Sequence, residues 1–270
     1  MDNENKKNSD SFKEENKGKK VFRTIIIIIA ILMIIFGAVY FGYYLYGQYI
    51  AQQAEEELSS IAQTTVSVDE GVKNPIDFKS LKAKNNEIYA WIKVPGTKVD
   101  YPICQSESDD NFYLKHGAMD KKWLSSGAVY TESVNSLDFT DRVTVVYGHN
   151  GYGDTMFTTL HKFEKEDFFK EHSEFYIYTT ESKLTYKIIS AFKYDNRHIM
   201  NSFDFQDDII YSDFIDTIKN PESSYKNIRN DIDKEITIDD NIVVLSTCIT
   251  NQEESRYLVC GVLVKNEKTY

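Results

Sequence analysis

The sequence predicts a mainly β protein: an eight-stranded β-barrel behind one N-terminal transmembrane helix, with N-terminal helices and an extra helix before the seventh strand. Three observations point there. Residues 24–46, TIIIIIAILMIIFGAVYFGYYLY, hold no charge in 23 positions. From residue 88 the chain breaks into eight short runs rich in β-branched and aromatic residues. Between the sixth and seventh runs, residues 205–220 carry apolar side chains at helical spacing. Many short strands with few helices are the pattern of a closed or nearly closed barrel.

The elements follow in order. Residues 1–23 read as a cytoplasmic, disordered tail with seven basic and five acidic residues. As a helix, 24–46 would be about 34 Å long, enough to cross a hydrocarbon core of about 30 Å. Tyr40, Tyr43, Tyr44 and Tyr46 crowd its far end like an interfacial belt, and Lys17, Lys19, Lys20 and Arg23 precede it. That asymmetry keeps the N-terminus in the cytoplasm and places the rest outside the cell. A cleaved signal peptide would have a shorter apolar region ending in small residues. A retained, single-pass anchor is therefore expected.

Residues 47–87 read as a helical region and linker: a helix continuing over 48–63, a linker at 64–75 and a short helix from about 76. Residues 88–270 form the barrel domain. Its strands are expected at 89–94, 98–103, 127–131, 142–148, 174–179, 184–194, 241–248 and 256–264. Helical insertions fall at 156–172 and at 205–220, the latter with Ile209, Phe214, Ile215 and Ile218 at helical spacing.

Composition removes several function classes. The 270 residues are 41% hydrophobic and 27% charged, which excludes a coiled coil or a wholly disordered chain. The net charge of −11 gives no electrostatic reason to bind nucleic acid. Three cysteines are too few for a disulfide scaffold. A Cys104–Cys260 disulfide is conceivable in an exported protein, with simple packing the better expectation. No Cys/His spacing suggests a metal, and no cofactor is expected. Asp109, Asp110, Asp207 and Asp208 read as solvated.

Cys248 ends the apolar run Ile242–Leu245 after Ser246 and Thr247, and a polar loop follows. A thiol at a strand end can meet a substrate, whereas Cys260 lies inside an apolar run. Inert packing is nevertheless the ordinary state of a free cysteine, so the local sequence leaves both readings open. A nucleophilic thiol needs a base. Of five histidines, His149 also stands at a strand end, in RVTVVYGHN, while His116, His161, His172 and His198 read as surface residues. Arg256 opens the last strand. It suits either a surface ion pair with Glu253 or Glu254 or a fixed charge for an oxyanion.

Together, His149, Cys248 and Arg256, with YGHN at the histidine and LSTC at the cysteine, resemble the sortase family of Gram-positive bacteria. NNEIYAWIKVPGTKVDYPICQ at 85–105, DDNFYL at 109–114 and YGHNGYGDTMFTTLHKF at 147–163 look like class B segments, and 205–220 falls where class B enzymes carry an extra helix. The likeness covers residues 48–264. It implies a cysteine transpeptidase that cleaves a C-terminal sorting motif of secreted proteins after Thr and transfers them to a cell-wall peptide amine, on peptidoglycan or a lipid-linked precursor. Cys248 would be the nucleophile, His149 the acid and base, and Arg256 the oxyanion or backbone donor. Ser246 and Thr247 would contact substrate. The eight-residue step from Cys248 to Arg256 and Ile249 after the nucleophile depart from common patterns, in the loop that helps read the substrate. Two other readings stand beside it: a membrane-tethered binding module on a sortase-like barrel, and a cell-wall cysteine hydrolase.

Overall fold

The structure is a computed structural model that describes residues 2–62, 73–151, 153–232, 234–250 and 252–270. It divides into two units, residues 1–49 and 50–270. Helix α1 runs Asp2–Ala62. It therefore includes residues 2–23 of the segment that composition predicted to be a disordered tail. No proline interrupts residues 2–62, and extending an existing helix avoids the cost of nucleation. Among the described residues one segment, Phe22–Ile50, is long and apolar enough to cross a membrane. The expected linker at 64–75 lies largely outside the described residues.

In the second unit, helix α2 (Phe78–Lys84) is capped by Asp77, whose carboxylate accepts from the Ser80 N–H, and it buries Phe78 and Leu81. The strands are β1 (Ile88–Lys93), β2 (Asp100–Cys104), β3 (Val129–Tyr130), β4 (Val143–Tyr147), β5 (Glu174–Thr179), β6 (Ser182–Asp195), β7 (Lys226–Ile228), β8 (Ile242–Ile249) and β9 (Gln252–Lys268). Eight of them close a ring in the order β5-β1-β2-β3-β4-β8-β9-β6, sealed by β5–β6 pairing. The ninth, β7, pairs with β6 alone, at Ser190–Phe192. It was not expected because three half-exposed residues carry no alternation to read.

One cluster of buried side chains draws on all eight ring strands, including Ile92, Ile103, Val129, Val146, Ile177, Tyr186, Leu245 and Val259, and so fills the barrel interior. The opposite parity builds an outer cluster from Val145, Val244, Leu258 and Cys260. Helix α3 (Glu166–Glu171) follows a 3-10 turn at Thr158–Glu164, and α4 (Ile199–Ser202) follows β6. Helix α5 (Asp208–Lys219) covers the outer cluster with Tyr211, Phe214, Ile215 and Ile218. Tyr211 replaces the expected Ile209, which is 73% exposed. Two residues advance a helix by about 200°, which turns Ile209 away from the stripe that begins at Tyr211.

All three cysteines are free. Cys104 packs with Phe78 and Trp91, whereas Cys260 packs with α5, so the possible Cys104–Cys260 disulfide does not form. Gly261 explains itself by close approach. A Cβ there would lie 2.4 Å from the ring of Phe175, which stacks on Tyr186.

Candidate active site

Strand register relates the three sequence candidates. β4 and β8 run parallel, with Tyr147 opposite Ser246. His149 lies two residues past Tyr147, and Cys248 two past Ser246. β8 and β9 run antiparallel, with Cys248 opposite Arg256. Cys248 and Arg256 are therefore cross-strand partners, and His149 follows the end of β4 in the segment beside the end of β8, where the next residue, Asn150, reaches the Cys248 carbonyl.

Alternation decides which way each points. On β8, Val243 and Leu245 face the barrel interior, while Ile242 and Val244 face outward. Cys248 has the outward parity, as does Arg256 together with Leu258 and Cys260. Ser246 shares this face and is buried, whereas Thr247 points inward and is 2% exposed. Beyond Cys248 the register jumps, Ile249 pairing with Gln252, so residues 253–255 have no counterpart on β8. That bulge ends the regular ladder beside the thiol, and Cys248 is exposed.

The other two thiols are sealed. Cys104 and Cys260 are fully buried, and burial pushes the Cys260 thiol up to about 12 and Cys104 higher still. Cys248 is the one accessible sulfur among the three.

His149 is held from the side. Its Nε2 lies 2.7 Å from the Leu114 carbonyl. A carbonyl only accepts, so Nε2 carries a proton and Nδ1 is the nitrogen left for proton transfer. Gly148, just before it, lies over the buried Phe157 ring, and a Cβ there would sit 2.5 Å from Phe157 Cγ. The loop after His149 folds back at once, the Phe157 N–H donating to the His149 carbonyl at 2.9 Å. Arg256 is half-buried, with Nη1 donating to the Ser255 carbonyl at 3.1 Å.

The sequence reading missed two neighbouring groups. Behind the nucleophile, Asn150 Nδ2 and His161 Nε2 each lie 3.0 Å from the Cys248 carbonyl oxygen. Asn150 was visible in the YGHN run, and His161 could have been found from Glu164, three residues on. Beside the face that carries Cys248, Tyr130 stacks on Tyr147, and Tyr147 lies near His198. His198 Nε2 donates to the buried Glu132 carboxylate at 2.6 Å. Burial, then the Glu132 charge, then Cys248, hold the Tyr130 hydroxyl well above its ordinary range. Glu132 and His198 are 66 residues apart and leave no local signal. The remaining histidines also have partners, since His116 stacks on Phe112 and His172 on Phe168.

A sortase-domain family model matches residues 92–264. The chain belongs to the sortase family. Sortase B of Staphylococcus aureus (strain NCTC 8325 / PS 47) is 29% identical over 252 residues, spanning 91% of this chain and 98% of that protein. The structure of sortase B from Bacillus anthracis in complex with AAEK1 superposes with a TM-score of 0.69 at 28% identity, over 82% of this chain and 99% of that one. A Staphylococcus aureus sortase B–substrate complex gives 0.62 at 28% identity, over 79% and 93%. These relatives place the chain among the class B sortases, as a sortase cysteine transpeptidase.

Proposed function

We propose that this class B sortase cleaves a sorting motif after Thr through a thioacyl-enzyme on Cys248 and transfers the acyl group to a cell-wall peptide amine. One observation carries the reading: Cys248 pairs with Arg256 across β8 and β9, and His149 follows the end of β4, the strand that pairs with β8 on its other side. In the first half-reaction Cys248 Sγ, as thiolate, attacks the Thr carbonyl carbon. The C–N bond breaks, and the departing amine takes its proton from His149 Nδ1. In the second, the acceptor amine attacks the thioester, gives a proton to His149, and the C–S bond breaks. Arg256 supplies positive charge to the tetrahedral oxyanion or holds the substrate backbone. Ser246 contributes a side chain on the thiol's face, and Thr247 its backbone.

The helix Phe22–Ile50 serves in this reading as a retained single-pass anchor, with the N-terminus cytoplasmic and the barrel outside the cell. The partners are secreted proteins with C-terminal sorting signals and an amine on peptidoglycan or its lipid-linked precursor. The test is a panel of labelled sorting peptides with and without amine acceptors, with products read by mass spectrometry. Amine-dependent transfer that disappears in Cys248→Ala supports the proposal. Cleavage that survives in Cys248→Ala, or free acid as sole product whatever the amine, contradicts it.

A further inference from the structure

We propose that His161 is a positioning residue for Cys248, held so that its ring clamps the Cys248 backbone carbonyl. The inference rests on the reading of Cys248 as the nucleophile. His161 lies on the 3-10 turn Thr158–Glu164, behind the β8–β9 hairpin. Its ring stacks on Tyr257 at 5.0 Å, which fixes the ring plane. Nδ1 is 2.6 Å from Glu164 Oε1, and Nε2 is 3.0 Å from the Cys248 carbonyl oxygen. A carboxylate and a carbonyl both accept. The ring therefore spans two acceptors, anchored on Glu164 and reaching the backbone of the nucleophile.

Asn150 shares the site: its amide nitrogen lies 3.2 Å from Nε2 and 3.0 Å from both the Cys248 carbonyl oxygen and Thr250 Oγ1. The nearby charged groups are Glu164, Lys193 and Lys226. Glu164 is in direct contact. Lys193 of β6 and Lys226 of β7 line the same cavity as Glu164, and their ammonium groups are turned to Gln252 Oε1 and to Asn220 Oδ1 and the Pro221 carbonyl.

The consequence falls on the thiol. Cys248 stands where the ladder is interrupted by the bulge, so strand pairing alone does not fix its peptide plane. Asn150 and His161 clamp its carbonyl instead. His161 touches neither the reacting atoms nor the substrate, and it acts through Cys248.

The test uses the full-length protein in detergent micelles, with His161→Leu and His161→Gln. Two readouts are taken at pH 7: iodoacetamide alkylation of Cys248, and kcat and KM for a sorting peptide. His161→Leu should alkylate about tenfold more slowly and lose kcat by a similar factor with KM unchanged. His161→Gln, which restores a donor, should recover part of the loss. Wild-type alkylation in His161→Leu, or a His161→Gln no better than leucine in a variant that unfolds normally, overturns the proposal. Alkylation reads the thiol directly, so it judges His161 separately from the transpeptidase reading. That reading falls instead if Cys248→Ala still cleaves peptide.

Discussion

Gly148→Ala perturbs the site without touching any polar group. The added Cβ would meet three atoms of the Phe157 ring at 2.5–2.9 Å, where ordinary contact begins at 3.4 Å, so ring or strand must give by about 0.9 Å. Phe157 is fully buried in the barrel interior and has nowhere easy to go. Overpacking of this kind costs about 1–3 kcal/mol, on the order of 5 °C in Tm for a body of this size. If the strand yields instead, His149 moves, and in its proposed acid–base role a displacement near 1 Å costs up to ~100-fold in rate. Thermal unfolding by circular dichroism measures the first effect, and kcat with a sorting peptide measures the second. Phe157→Leu makes room for the methyl, so the double variant should be less destabilised than the sum of the singles. A Gly148→Ala protein with wild-type Tm and wild-type kcat would refute the close-packing argument.

Other expectations follow from the same geometry. Native alkylation should modify one sulfur per chain, and Cys248→Ala should abolish it, because Cys104 and Cys260 are buried; peptide mapping by mass spectrometry reads this directly. Arg256→Ala should lower kcat by about 100-fold or more, and Arg256→Lys should recover only part, as expected when a fixed charge serves an oxyanion. Glu87 is a stability test. Burial raises its carboxyl, but Tyr113 Oη at 2.6 Å and Lys121 Nζ at 2.9 Å outweigh that and leave it below the ordinary range. A depressed folded-state pKa gives stability that is present above the unfolded value and lost as pH falls through the folded one. Glu87→Gln should therefore lower Tm at pH 7 and flatten its fall below about pH 4.5, which a series of thermal melts would show.

What was legible in the sequence was whatever rests on local pattern. Runs of β-branched and aromatic residues between turn residues located the eight ring strands, and helical spacing located α5. The apolar run at 24–46 declared itself by composition alone. What was not legible depends on distant pairing. β7 exists only because β6 offers it an edge. Ile209 fits the right composition on the wrong side of α5, and only the packed face distinguishes it from Tyr211. At the site, His149 and Cys248 were visible as polar residues ending apolar strands. That their strands adjoin depends on the parallel pairing of β4 with β8, which no spacing in the chain encodes. His161 and Asn150 lie within hydrogen-bond distance of a backbone carbonyl, a target that is the same for every residue type, so their residue types alone did not name Cys248 as the partner.

In the proposed reaction Cys248 carries an acyl chain from one amine to another. Intact-protein mass spectrometry, after acid quench of the full-length protein mixed with a sorting peptide, detects that carrier state. A mass increment equal to the acyl fragment, mapped to Cys248, should build up without acceptor and vanish when amine is added. Turnover with no such adduct, or an adduct mapped to another residue, would contradict it.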